Sequence, residues 1–177
     1  GLSFRLDGFR FLLSAMAMLL WAMCTLFSEQ YFSHYHRRNR YYFFWMATLS
    51  ATVGVFFSGD LITAFLFFEI MSFTSYVFVA QEETPEALRA AATYLAVAVI
   101  GGLAMLMGIF LLPQGMAAAS LGDLPALAAG QNLWLPAILM LIGFGAKAGT
   151  FPLHIWLPKA HPVAPAPASA LLSGLLT

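Results

Sequence analysis

Long apolar runs, separated by short polar clusters, organise this chain from end to end. A helix needs about 20 apolar residues to cross a hydrocarbon core of about 30 Å. Runs of about that length occupy 9–28, 41–58, 61–80 and 90–112. A fifth, 133–157, is broken near 149–152, and a sixth, 168–177, begins but does not reach full length. The pattern predicts an all-α, multi-pass transmembrane helical bundle with a discontinuous helix, a single membrane domain over 1–177 with about five full spans plus the start of a sixth. The apolar run LLSGLLT reaches Thr177 with no cap or polar flank, so the chain is expected to be a fragment of a longer one.

The polar clusters orient the spans. Arg5, Asp7 and Arg10 around Gly8 suit an interfacial lead-in. The strongest positive cluster is SEQYFSHYHRRNR, with His34, His36, Arg37, Arg38 and Arg40, and the positive-inside rule places the Arg37–Arg40 loop in the cytoplasm. A lipid-headgroup or partner-docking patch is the other reading of that loop. Tyr41, Tyr42 and Trp45 form an aromatic belt, and Ser58, Gly59 and Asp60 an external turn. Pro85 after Thr84 marks a helix start with acid in its first turn. The Ala98/Gly102 and Ala104/Gly108 spacings let helices approach closely. The stretch before residue 133 predicts an external loop holding one short amphipathic helix around Asp123 to Ala128.

Composition agrees with the pattern. The chain is 61% hydrophobic and 9% charged, against about 25% charged residues in an ordinary soluble domain. A multi-pass protein of the cell (inner) membrane follows, with the lipid bilayer as its surroundings. Net charge is zero, which offers nothing to nucleic acid. Cys24 is the single cysteine and reads as packing within a helix. No phosphate-binding glycine loop, cysteine cluster, nucleophile elbow or metal-ligand spacing is present, so no cofactor, metal or catalytic centre is expected.

Two charges stand inside the apolar runs. Lys147 precedes a break at Gly149 and Pro152, followed by His154, Trp156, Lys159 and His161. An unpaired charge at mid-bilayer costs about 2.5–3.5 kcal/mol on insertion scales, and irregular backbone at that depth needs protein or a wet cavity around it. Glu69 lies near the middle of the third run, with Ser72 and Tyr76 at i+3 and i+7 on its helical face. A structural ion pair gluing two helices is one reading, although desolvation offsets the attraction of buried pairs. A proton relay is the other, because intramembrane ionisable groups mark pathways. Unit charges about 4 Å apart interact by about 4 kcal/mol at an effective dielectric of about 20, enough for each to govern the other's proton. His154 either passes the proton onward or bonds carbonyls freed by Pro152. Ser72, Tyr76, Lys159 and His161 are accessory candidates.

GDLITAFLFFEIMSFTSYVFVA, the helix with Tyr94 and Gly101, and GAKAGTFPLHIWLPKAHPVAPAPASALLSG together resemble the antiporter-like membrane subunits of respiratory complex I. The same superfamily holds Mrp-type cation/proton antiporters and membrane subunits of hydrogenase-4-like complexes. FRLDGFR resembles the lead-in to the third helix of those subunits, so the match runs through essentially the whole chain. The resemblance implies that Glu69 and Lys147 are the family's charge pair for proton translocation and that His154 matches a histidine common after the break. The segments would correspond to the third helix through the start of the eighth. It also implies other membrane subunits as partners and protons as cargo, with Na⁺ or K⁺ exchange left open. Lys159 stands where many members have Asp, and Thr93 where many have Lys. A proton-translocating or antiporter subunit is the leading expectation. A structural scaffold without transport, mildly favoured by those two departures, is the alternative. A catalytic, quinone-binding role is a distant third.

Overall fold

The structure is a computed structural model describing residues 1–33 and 38–177; His34, His36 and Arg37 of the basic loop lie outside the described residues. Four long helices come first: α1 (Gly8–Tyr31), α2 (Arg38–Phe57), α3 (Leu61–Ala80) and α4 (Pro85–Phe110). Three of them start on a side-chain cap, which satisfies a backbone N–H that has no partner inside the helix. Asp7 accepts from Arg10 N, Asp60 from Thr63 N and Thr84 from Ala87 N, at 2.9, 2.7 and 3.1 Å. The short α5 (Leu124–Ala128) lies in the connection that follows, then α6 (Trp134–Ala148), α7 (Leu157–Ala160) and α8 (Ala166–Leu171).

Helices α1, α3 and α4 and the interrupted segment Trp134–Ala160 are long and apolar enough to cross a membrane. Helix α2 has 20 residues, about 30 Å at 1.5 Å per residue, but Arg38, Asn39 and Arg40 in its first turn keep it outside that group. Ala166–Leu176 is a shorter apolar helix. The architecture is that of a multi-pass helical membrane protein.

The connections meet at two opposite ends of the bundle. At one, Arg40 pairs with Glu83 and donates to the backbone oxygen and side chain of Gln81, each at 3.3 Å. At the other, Arg5 N donates to Phe57 O at 2.8 Å, Gly59 N to Ser3 O at 2.7 Å and Leu121 N to Gly59 O at 2.9 Å, and Arg10 bonds Ser58 O. The start of α2 and the α3–α4 connection thus share one end, and the lead-in, the 58–60 turn and the loop after α4 share the other.

Between the ends, α4 is held between α3 and α6. Glycines bring α4 and α6 together: a Cβ on Gly143 would come within 2.5 Å of Met105 Cβ and 2.8 Å of Gly101 O, and one on Gly108 within 2.8 Å of Pro136 O. Helices in lipid gain from such close approach because lipid tails are as apolar as their own side chains. Gly101 and Gly108 serve α6, whereas Gly102 turns toward α3. Away from this seam, Trp21, Tyr41 and Phe78 surround Trp45 in a buried aromatic cluster, their ring centroids 5.1–5.5 Å from its own. Trp45 Nε1 donates to Thr25 Oγ1 at 2.7 Å.

Candidate functional site

The break that the sequence announces is built by Gly149. Helix α6 ends at Ala148, and Gly149 takes the left-handed conformation, φ 65° and ψ 38°, which costs glycine almost nothing. Its N–H and that of Thr150 both turn back to Gly145 O, as in a helix C-cap. A Cβ at Gly149 would also overlap the Leu157 side chain. After Pro152 the chain makes a 3₁₀ turn, Leu153–Trp156, and continues as α7. One α6 carbonyl close to the break is recovered by a side chain: Trp156 Nε1 donates to Ala146 O at 2.9 Å.

Lys147 sits in the last turn of α6 and is 5% exposed. Its place there suits a cation, since the helix C-terminus carries partial negative charge. Nζ donates to Tyr94 Oη at 2.5 Å and lies 3.4 Å from Ser75 Oγ; the two hydroxyls are 2.7 Å apart. Ser75 Oγ is also 2.6 Å from Met71 O. One consistent proton assignment runs in a single direction, from Lys147 to Tyr94, from Tyr94 to Ser75, and from Ser75 to the Met71 carbonyl. Nζ stands 5.0 Å from the centre of the Tyr94 ring, a cation–π distance. That ring packs edge-on against Trp156, 4.8 Å between centroids. The indole that caps the broken helix therefore also wedges the tyrosine against the lysine.

Glu69 is half-buried on α3, and its Oε1 is buried without a hydrogen-bond partner. It faces α4 at Gly102, where a Cβ would overlap the carboxylate. Gly101, the adjacent residue, abuts Ala146 next to Lys147. Glu69 and Lys147 make no ion pair within 4.0 Å, so they approach the α3–α4–α6 junction from two sides of the Gly101–Gly102 pair. A cavity of about 280 Å³ also borders Lys147, lined by Phe68, Met71 and Phe144 among others.

The remaining candidates disperse. Ser72 is buried and donates to Phe68 O at 3.0 Å, back within its own helix, and Tyr76 is half-buried. His154 is exposed and stacks on Phe151, with 5.7 Å between rings. His161 is half-buried, 2.9 Å from Ser169 Oγ and stacked 6.5 Å from Trp156. Lys159 is exposed. Lys147 is joined instead by Tyr94 and Ser75, with Trp156 packed against the tyrosine ring. Among the described residues, no group of His, Cys, Asp and Glu assembles a metal-holding cluster.

Residues 58–177 match the family described as "NADH:quinone oxidoreductase/Mrp antiporter, TM". The chain belongs to this family. It is 31% identical, over 97% of its length, to one of the Na(+)/H(+) antiporter subunits of Alkalihalophilus pseudofirmus, and 29% identical, over 99%, to hydrogenase-4 component B of Escherichia coli. It spans only 36% and 26% of those relatives, about a third of their length. Among solved structures, a chain of the Mrp complex from Dietzia sp. shares the fold with a TM-score of 0.84 over 98% of this chain, at 24% identity. A chain of the membrane-bound sulfane sulfur reductase, an archaeal respiratory membrane complex, matches with a TM-score of 0.78 over 91%, at 25% identity. These cover 33% and 35% of the respective neighbours.

Proposed function

We propose that the chain forms part of a proton-translocating or cation/proton-antiporting subunit of a multi-subunit complex of the NADH:quinone oxidoreductase, Mrp or hydrogenase-4 kind. In this reading Lys147 is the proton-carrying group and Glu69 the charge that modulates it. The observation that carries it is the environment of Nζ, 5% exposed and bonded to two hydroxyls rather than a carboxylate. An ion pair serving as adhesive would place the charges in contact, because contact is what offsets their desolvation. Hydroxyls, by contrast, both accept and donate, so Tyr94 and Ser75 are able to pass a proton as well as hold it.

Coupling to Glu69 does not need contact. At twice the contact distance, about 8 Å, two unit charges at an effective dielectric of about 20 still interact by about 2 kcal/mol. The glycine pair adds no side chain of its own beside the Glu69 carboxylate or Ala146. His154, exposed at the break, would exchange protons with water or a neighbouring subunit rather than with Lys147 directly. The end carrying Arg38 and Arg40 would face the cytoplasm of a cell membrane, and exposed apolar side chains such as Leu19, Leu26 and Phe110 would meet lipid or partner subunits. Protons are the cargo, with Na⁺ or K⁺ as candidate counter-ions.

The test is Lys147→Ala in the full-length subunit, within its complex, in proteoliposomes. Proton flux should vanish while the complex still assembles; flux at the wild-type level from an assembled complex would overturn the proposal.

A further inference from the structure

Away from the lysine site, the outer face of α4 carries two neighbouring depressions that differ in chemistry. The first, of about 400 Å³, is lined by Arg89, Thr93, Lys159 and Val163 among others, with Glu86 also on its wall. Arg89 and Lys159 are both exposed, and neither makes an ion pair among the described residues. Together with Glu86 they leave one net positive charge over it. The second begins one residue from Thr93: a strip of similar volume, about 400 Å³, lined only by Ala92, Leu95, Ala96, Val99 and Ile100. Small Ala92 and Ala96 form its floor, and both are exposed.

The two parts lie along one stripe. Arg89, Thr93, Ala96 and Ile100 follow one another at steps of four, three and four residues, which keeps them on one helical face. From Arg89 to Ile100 the helix rises about 16 Å, close to half of the roughly 30 Å hydrocarbon core, the depth of one leaflet. Cations at the top and an apolar helix face one leaflet deep below match the two halves of a phospholipid.

We propose that this stripe binds an anionic phospholipid, its phosphate held between Arg89 and Lys159 and one acyl chain lying along Ala92, Ala96 and Ile100. Arg89 offers a planar donor fork suited to phosphate, and Lys159 adds a mobile point charge. The cationic part lies at the end of the bundle shared by the α3–α4 connection and Arg40, so the site occupies the same leaflet as Arg40.

The experiment uses the full-length subunit in its complex, purified with phosphatidylglycerol and phosphatidylcholine of identical acyl chains, and counts retained lipid by native mass spectrometry. Wild type should retain phosphatidylglycerol preferentially. Arg89→Gln/Lys159→Gln should reduce that preference about 30-fold, as expected for two cations each contributing about 1 kcal/mol at a lipid surface. Ala96→Trp, which fills the apolar strip but leaves the cations, should displace the same lipid, whereas Arg38→Gln at the same end should not. Unchanged retention in the double variant would overturn the proposal. So would photo-crosslinking from position 96 that captures a protein segment instead of lipid, because the stripe would then be a protein interface.

Discussion

Tyr94→Phe isolates the hydroxyl that holds Lys147. The substitution leaves the ring in place, and with it the Trp156 packing at 4.8 Å and the ring–ammonium distance of 5.0 Å. What disappears is the acceptor 2.5 Å from Nζ; the hydroxyl that remains, Ser75 Oγ, is 3.4 Å away. A hydrogen bond to a charged group contributes about 1.5–3 kcal/mol. At about 1.4 kcal/mol per tenfold, that weakens the site's hold on the charged ammonium by roughly 10- to 100-fold. The assay is the initial rate of proton uptake by proteoliposomes containing the assembled complex with the full-length subunit. Flux should fall at least about tenfold on that scale, Ser75→Ala should have a smaller effect, and the double variant should lose less than the two effects summed, as for groups in one network. Wild-type flux in Tyr94→Phe, with Lys147→Ala inactive, would refute the role given to the hydroxyl.

Other consequences follow from the break and its surroundings. Gly149→Ala imposes a side chain at φ 65° and into Leu157, so thermal unfolding of the purified complex should begin earlier, by the equivalent of about 1–3 kcal/mol. Trp156→Phe keeps an aromatic ring but removes the bond to Ala146 O. It should cost about 0.5–1.5 kcal/mol in the same melt, with flux reduced through a loosened Tyr94. His154→Ala removes an exposed ring stacked on Phe151. Its melt should change by no more than about 0.5 kcal/mol, so a loss of flux in that variant would report proton exchange rather than folding.

The helices and the break are legible in the sequence because lipid imposes a coarse rule: long apolar runs span, and a charge or a glycine–proline pair inside one stands out. Lys147, Glu69, Gly149 and Pro152 all emerge that way. The lysine's immediate partners do not. Ser72 and Tyr76 share a face with Glu69, yet the structure turns Ser75, on a different face of α3, toward Lys147. Tyr94 comes from a third helix, and its contact depends on how α4 sits between α3 and α6, a register that no single run of residues contains. The glycines make the same point. Spacing marks Gly102 and Gly108 as packing residues, but it is Gly101 that meets Ala146, while Gly102 opens room for the Glu69 carboxylate. The signal available in the sequence, hydroxyls on otherwise apolar helices, flags Ser75 and Tyr94 only among several others of equal standing.

Lys147→Arg separates a proton carrier from a fixed charge. Arginine keeps the positive charge at the end of α6 and can still donate to Tyr94 and Ser75, but its guanidinium does not release a proton in proteins. Proton flux measured on the assembled complex carrying the full-length variant is predicted to be lost. Flux retained at the wild-type level would contradict the account, because a charge that never lets go of its proton would then be doing everything Lys147 does.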